Sequence, residues 1–193
     1  MPQRPVSDSG DDHHDAMQQA FRWQVPARFN MAEVCSRRWA QAPDATEKIA
    51  VIEHLAGAAP RLHSYAALQA AANRLSNALA KVGVRRDDRV AIVMPQRFET
   101  AVAYIAVLQL GAIAMPLSQL FGPEALEYRI NDAGALAAIC DEASMEALLS
   151  VRGSCPTLAV VIGLGQGAAR ADHDWQTLLA TAADTFDAAD NAA

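Results

Sequence analysis

A layered α/β fold, with a mostly parallel sheet and flanking helices, is predicted for this chain by three observations. Val90, Ala91, Ile92, Val93 and Met94 form a short unbroken apolar run, the pattern of a strand covered on both faces. After Pro95 the apolar positions move to helical spacing, with Phe98, Val102, Ile105 and Leu108 on one face, until Gly111 supplies a stop and Ile113–Leu117 returns to an extended run. Strand starts near 90, 113, 136 and 157 recur every 21 to 23 residues, the rhythm of successive βα units and not of a hairpin meander. A parallel connection is right-handed and lays its helix on the sheet, so Gly83–Leu117 is the predicted centre of the domain.

The other elements follow in chain order. Residues 1 to about 28 are polar, acidic and turn-rich and are expected to form a flexible tail, with order beginning near Phe21–Phe29. Asp11, Asp12, His13, His14 and Asp15 have metal-ligand chemistry, but nothing fixes their geometry, and a solvated tail is the preferred reading. Phe29-Asn30 opens a helix with Asn30 as N-cap and Glu33 placed to bond back to the cap, and Pro43 closes it. Lys48–His54 and Arg61–Ser64 read as an antiparallel hairpin, with His54 and His63 facing each other. Ser64 then caps a helix whose apolar face is Leu68, Ala72, Leu75 and Leu79, ending at Gly83, and Asp87-Asp88 form a turn. Beyond Leu117 come a loop Ser118–Gly122, a helix with Pro123 in its first position, a strand Leu136–Cys140, a helix Ser144–Val151 and a strand Thr157–Ile162. Asp174–Ala182 is a last helix, and Asp184–Ala193, small and acidic, is expected to be a flexible linker that does not pack. The organisation is thus a tail over 1–28, one α/β body over 29–183 and a linker over 184–193.

With 193 residues, 52% of them hydrophobic, the chain can bury a sizeable core. Sixteen Lys and Arg against 22 Asp and Glu, with the arginines scattered, argue against nucleic acid or an acidic membrane surface as partner. No apolar run approaches a membrane span, and the start lacks the apolar core of a signal peptide, so a cytoplasmic location is expected. Cys35, Cys140 and Cys155, without a Cys-x-x-Cys pair, fit reduced thiols.

The turn after the first parallel strand, Met94–Arg97, has no glycine through which backbone N–H groups could approach phosphate. Gly163, Gly165 and Gly167 with Ala168 formally fit a loose dinucleotide fingerprint, but no apolar helix face follows, and a flexible loop is preferred. No Gly-x-Ser-x-Gly elbow occurs, no histidine stands at a telling distance from a cysteine, and Cys140 reads as a small core residue. The two lysines, Lys48 and Lys81, read as surface positions.

Phe29-Asn30, the segment Ser64–Pro95, the segment Gly111–Ala133 and the strand ending at Asp141 together resemble the N-terminal region of the adenylate-forming (AMP-binding) acyl-CoA synthetases, in their medium-chain, acetyl-CoA-synthetase-like branch. The resemblance runs continuously over roughly residues 28–145, with one departure: Asp87 stands where relatives usually carry Gly. It implies a parent enzyme that activates a carboxylic or fatty acid with ATP and Mg to an acyl-adenylate and pyrophosphate, then transfers the acyl group to CoA. Such chemistry needs stabilised phosphoryl charge and a mobile catalytic lysine. The family's Ser/Thr/Gly-rich phosphate loop ending in Pro-Lys, its aromatic-x-Thr-Glu motif and its ribose-binding Asp have no counterpart in this sequence, and Thr185–Ala193 resembles the acidic linker that precedes the phosphate loop in relatives.

The expectation is therefore an N-terminal segment of such a ligase that does not adenylate alone and binds no cofactor tightly alone. Its partner would be the remainder of the synthetase or a partner synthetase chain, with self-association through apolar surface meant for that partner. By the same resemblance Ser118, Gln119, Leu120, Phe121 and Gly122 form a candidate CoA-entrance loop; the plainer reading is a loop that packs against the rest of the enzyme. No catalytic or metal-binding residue is assigned. The alternative is a stand-alone binding or regulatory module that borrows the synthetase fold and pairs with a partner.

Overall fold

A computed structural model of the chain describes residues 13–24, 26–54 and 56–190; residues 1–12, among them Asp11 and Asp12, and residues 191–193 lie outside it. Helix α1 (His13–Ala20) already falls within the stretch read as a flexible tail, and its residues 14–20 are exposed. Asn30 does cap a helical segment, its Oδ1 accepting from the Ala32 N–H at 2.9 Å. The turns beyond it widen into a π-helical stretch (Glu33–Arg37) that runs into α2 (Arg38–Ala40). The Glu33 carboxylate lies 3.7 Å from Arg37 instead of returning to the cap.

Strands β1 (Ile49–Glu53) and β2 (Arg61–Ser64) form a separate antiparallel hairpin. Its register sets Val51 against His63 and Glu53 against Arg61, so His54 falls beyond the last pair and does not face His63. His63 instead stacks flat on Phe98, ring centroids 3.8 Å apart, with Nε2 3.4 Å from Glu53 Oε2. Ser64 caps α3 (Tyr65–Lys81), its Oγ accepting from Ala67 N–H, and the predicted stripe of Leu68, Ala72, Leu75 and Leu79 is buried.

The main sheet comprises β3 (Arg89–Val93), β4 (Ile113–Leu117), β5 (Ala137–Cys140), β6 (Val160–Gly163) and β7 (His173–Asp174), all parallel, in the order β4-β3-β5-β6-β7. Helix α4 (Phe98–Gln109) links β3 to β4, and α5 (Pro123–Ala133) and α6 (Met145–Arg152) follow β4 and β5. Alternate strand residues feed two cores. Val90, Ile92, Ala137, Ile139 and Ile162 pack with α3 and α4, while Ala91, Val93, Ala138, Cys140 and Val161 pack with α5 and α6. Both faces of the sheet are covered, which is why its strands read as unbroken apolar runs.

Strand β7, which begins at His173, has no apolar run to announce it. It is positioned by Asp172, whose Oδ2 accepts from the Val161 N–H at 2.7 Å while Arg152 forks onto the same carboxylate at 2.7 and 3.0 Å. Asp174 then caps the short α7 (Trp175–Ala180), with Oδ1 2.7 Å from Thr177 N. Asp87 adopts a left-handed conformation (φ 66°) in the turn before β3, the geometry for which glycine is the usual residue. Asp88 closes this turn, accepting from Arg85 N–H at 2.7 Å.

Between α3 and α4 runs a buried polar seam: the Gln69 amide donates to Gln109 Oε1 at 2.6 Å, and the Gln109 amide donates to Ser76 Oγ at 2.7 Å. Residues 184–190, the described part of the stretch expected not to pack, run across this layer. Their carbonyls accept from Asn73, Asn77 and Asn30, and the Ala189 N–H donates to Gln109 O at 2.7 Å. Composition marked the segment as polar and small; side-chain amides that bond its backbone order it all the same.

On the opposite flank β4 is an edge strand. The Ile113 N–H donates inward to Asp88 O, so by alternation Ala114 and Pro116 turn their backbones outward.

Candidate functional site

In an open parallel sheet, ligands bind outside the carboxyl ends of the strands where the winding reverses. Here the chain leaves β3 for β4 on one side and returns across it to β5 on the other, so that crevice lies between the ends of β3 and β5. The turn after β3 supplies Arg97, whose Nε is 2.7 Å from Glu99 Oε2 and whose Nη1 is 3.9 Å from Glu142 Oε2. Burial, the largest single influence, would raise the Glu99 carboxyl, but the Arg97 hydrogen bond, a backbone hydrogen bond and the Arg97 charge act together to hold the group below its ordinary value. After β5, Asp141 is buried and its Oδ1 accepts from Ser144 N–H at 3.0 Å. The crevice thus gathers three carboxylates around one paired guanidinium, which disfavours a phosphate there.

The glycine cluster also serves this packing. Gly165–Arg170 is a 3-10 turn and not a flexible loop. Gly165 has φ +55°, and a Cβ on it would come within 2.6 Å of Glu142 Oε2. A Cβ on Gly163 would meet Ala168 Cα at 2.8 Å. Gly165 and Gly167 let the turn close on Glu142 of the β5–α6 loop, and Gly163 lets it fold back over Ala168, so their spacing reflects close approach of protein to protein.

Two adjoining cavities open beside the crevice. One of about 340 Å³ includes Met94, Thr100, Tyr104, Pro116, Ser118 and Leu120 in its walls. The other, about 470 Å³, lies between the hairpin and the start of α4, with Ile52, Glu53, Arg97 and Tyr104. Gln96, Thr100 and Tyr104 border both. Glu53 ties the hairpin to α4 beside the second cavity, its Oε1 accepting from the Phe98 N–H at 3.3 Å at the start of that helix; sequence reasoning did not identify this link.

The candidate loop divides. Ser118, Gln119 and Leu120 line the first cavity, with Leu120 86% exposed. Phe121 packs toward α5, the Arg129 guanidinium lying 4.2 Å over its ring, and Gly122 precedes Pro123 at the start of α5. Among the described residues no group of three or more His, Cys, Asp or Glu is arranged to hold a metal ion, and no helix is long and apolar enough to cross a membrane.

The three thiols are unbridged; Cys35 is exposed and Cys140 and Cys155 are buried. Burial, reinforced by Asp141 and Glu142, pushes the Cys140 thiol from 9.0 up to about 12. Between those values the unfolded chain has released this proton and the folded chain has kept it, so stability falls as pH rises across that window and is unaffected by this group below it. Cys140→Ala is expected to flatten that alkaline decline in urea titrations, and a thiol reagent at mildly alkaline pH is expected to modify Cys35 while sparing Cys140.

Comparison with known proteins places these features. The AMP-binding enzyme family matches residues 36–192. The acetyl-coenzyme A synthetase of Magnetococcus marinus is 34% identical over 126 residues, which is 65% of this chain and 19% of that protein. The 3-hydroxypropionyl-coenzyme A synthetase of Sulfurisphaera tokodaii is 45% identical over 71 residues, 37% of this chain and 11% of that protein. This chain therefore spans about a fifth or less of the length of these relatives. Among solved structures, the anthranilate CoA ligase AuaEII in complex with anthranoyl-AMP superimposes with a TM-score of 0.77 at 23% identity, covering 87% of this chain and 31% of that one. A Brucella canis acyl-CoA synthetase gives 0.75 at 21% identity, covering 94% and 32%. At these identities the likeness is one of fold. With the family matched over most of its length, the chain belongs to the AMP-binding enzymes and corresponds to the N-terminal part of an acyl-CoA synthetase.

Proposed function

We propose that this chain is the N-terminal scaffold of an acid–thiol ligase, one that joins a carboxylic acid to CoA through an acyl-adenylate at the expense of ATP with Mg, and that the adenylation centre requires residues outside the chain. The observation that carries this reading is the family match over residues 36–192 together with a β3–β5 crevice lined by carboxylates and lacking a glycine cradle. Ser118–Gly122 are proposed as a wall of the CoA entrance, a reading supported by the position of Ser118–Leu120 at an open cavity. Ile52, Leu62 and Leu120 are apolar and more than half exposed, which supports a surface that the rest of the synthetase, or a partner synthetase chain, would cover and through which isolated copies would self-associate. The resemblance supports a carboxylic or fatty acid as the substrate of the parent enzyme, and the unbridged thiols support a cytoplasmic location.

The test is a coupled pyrophosphate assay on the purified chain with ATP, Mg²⁺, CoA and acetate or a medium-chain fatty acid. No release above the protein-free control is expected. Steady, acid-dependent release would overturn the scaffold reading.

A further inference from the structure

Residues 183–190 form no helix or strand, yet almost every polar contact they make is with a side chain or backbone group far away in sequence. On α3, Asn73 and Asn77 stand one turn apart and aim their amides at this segment. Asn73 Nδ2 is 2.7 Å from Asp184 O, and Asn77 Nδ2 is 2.9 Å from both Ala183 O and Thr185 O. Arg74, between them, reaches the Asp184 carboxylate at 3.2 Å. Phe186 packs on the core shared by α3 and α4. At the far end Ala189 is held on both sides, its N–H by Gln109 O and its carbonyl by Asn30 Nδ2 at 2.8 Å. Asp190 pairs with Arg28 through its carboxylate and with Arg86 through its carbonyl. An acidic peptide therefore lies on a track of asparagine amides and arginines, its main chain bonded by the amides and its Asp184 and Asp190 carboxylates paired with Arg74 and Arg28.

Asn30 is the joint of this arrangement. Its Oδ1 caps the segment that begins at Met31, and its Nδ2 is shared between Leu108 O and Ala189 O. One buried side chain thus starts the N-terminal helical segment and holds the end of the acidic strap.

We propose that residues 183–190 are a clasp: a peptide docked in cis on the Asn73–Asn77 track, whose docking holds the Asn30 segment in place, so that the two terminal segments are ordered together or not at all. The occupant is this chain's own segment, and the device stands independently of the catalytic reading above.

Residue-resolved hydrogen exchange on the full chain tests it. In Asn73→Ala/Asn77→Ala, three carbonyl bonds of the strap are lost, and the Ala189 and Ala32 amides are each expected to exchange about tenfold faster, with the Ile139 amide in β5 unchanged. Continued protection of Ala189, or acceleration of Ala189 with Ala32 unmoved, would overturn the clasp. Should the Ile139 amide also lose protection, Asn30→Ser decides: serine keeps a capping oxygen but lacks the amide, so faster exchange at Ala189 supports the clasp and unchanged exchange refutes it.

Discussion

Ile139→Ala is expected to lower the unfolding free energy by about 3 kcal/mol, read as a lower urea midpoint with an unchanged slope. Ile139 lies on the central strand β5, fully buried, in register with Ile92 of β3 on one side and Ile162 of β6 on the other. The three isoleucines stand abreast on the face covered by α3 and α4. Truncating the middle one leaves a void that the flanking strands, fixed by their ladders, cannot close, so the cavity cost adds to the lost transfer free energy. Ile139→Val is expected to cost only about 1 kcal/mol, and Ile52→Ala, at a position 56% exposed, less than about 0.5 kcal/mol. Equal losses at Ile139 and Ile52 would contradict the burial pattern.

Arg89→Met is expected to cost about 2–3 kcal/mol, because one guanidinium satisfies three backbone carbonyls. Nε reaches Ala133 O at 2.7 Å, Nη2 reaches Gly134 O at 2.6 Å, and Nη1 reaches Asp87 O at 3.1 Å. Two of these acceptors end α5, where a cation also complements the helix dipole. Lysine cannot reproduce the fork, so Arg89→Lys should recover less than half of the loss. Gly134 is coupled to this site: it has φ +60°, and a Cβ on it would sit 2.9 Å from Arg89 Nη2. Gly134→Ala is therefore expected to be less damaging in the Arg89→Met background than in the native one. A double-mutant cycle by urea unfolding measures that difference, and strict additivity would exclude the proposed contact.

The parallel sheet was legible because its burial is two-sided: short apolar runs at Val90–Met94 and Leu136–Cys140, bounded by turn residues, have the pattern of strands closed on both faces, and the helical stripe on α3 needs one covering layer. What escaped was ordered by single polar side chains acting across long separations. Strand β7 depends on Asp172 bonding Val161, and the strap depends on Asn73 and Asn77, whose spacing of one helical turn on a polar face was the available sign. The facing histidines failed because hairpin register depends on where pairing stops, and it stops at Glu53 and Arg61. In the candidate loop, composition could not reveal that Ser118–Leu120 would border a cavity while Phe121 turned to Arg129. The glycines at 163, 165 and 167 imitated a fingerprint because close backbone approach demands glycine whether the neighbour is a phosphate, Glu142 or, for Gly163, the turn's own Ala168.

The position of Pro116 in β4 bears on how copies of this protein can meet. A sheet edge that alternates free donors and acceptors is a template for an incoming strand, and repeated templating leads to fibrils. Along the outward row of β4, Ala114 offers both groups, but Pro116 has no N–H to give. An added strand would lose a rung at the fourth of the five positions of this edge, which breaks the template for an endlessly growing ribbon.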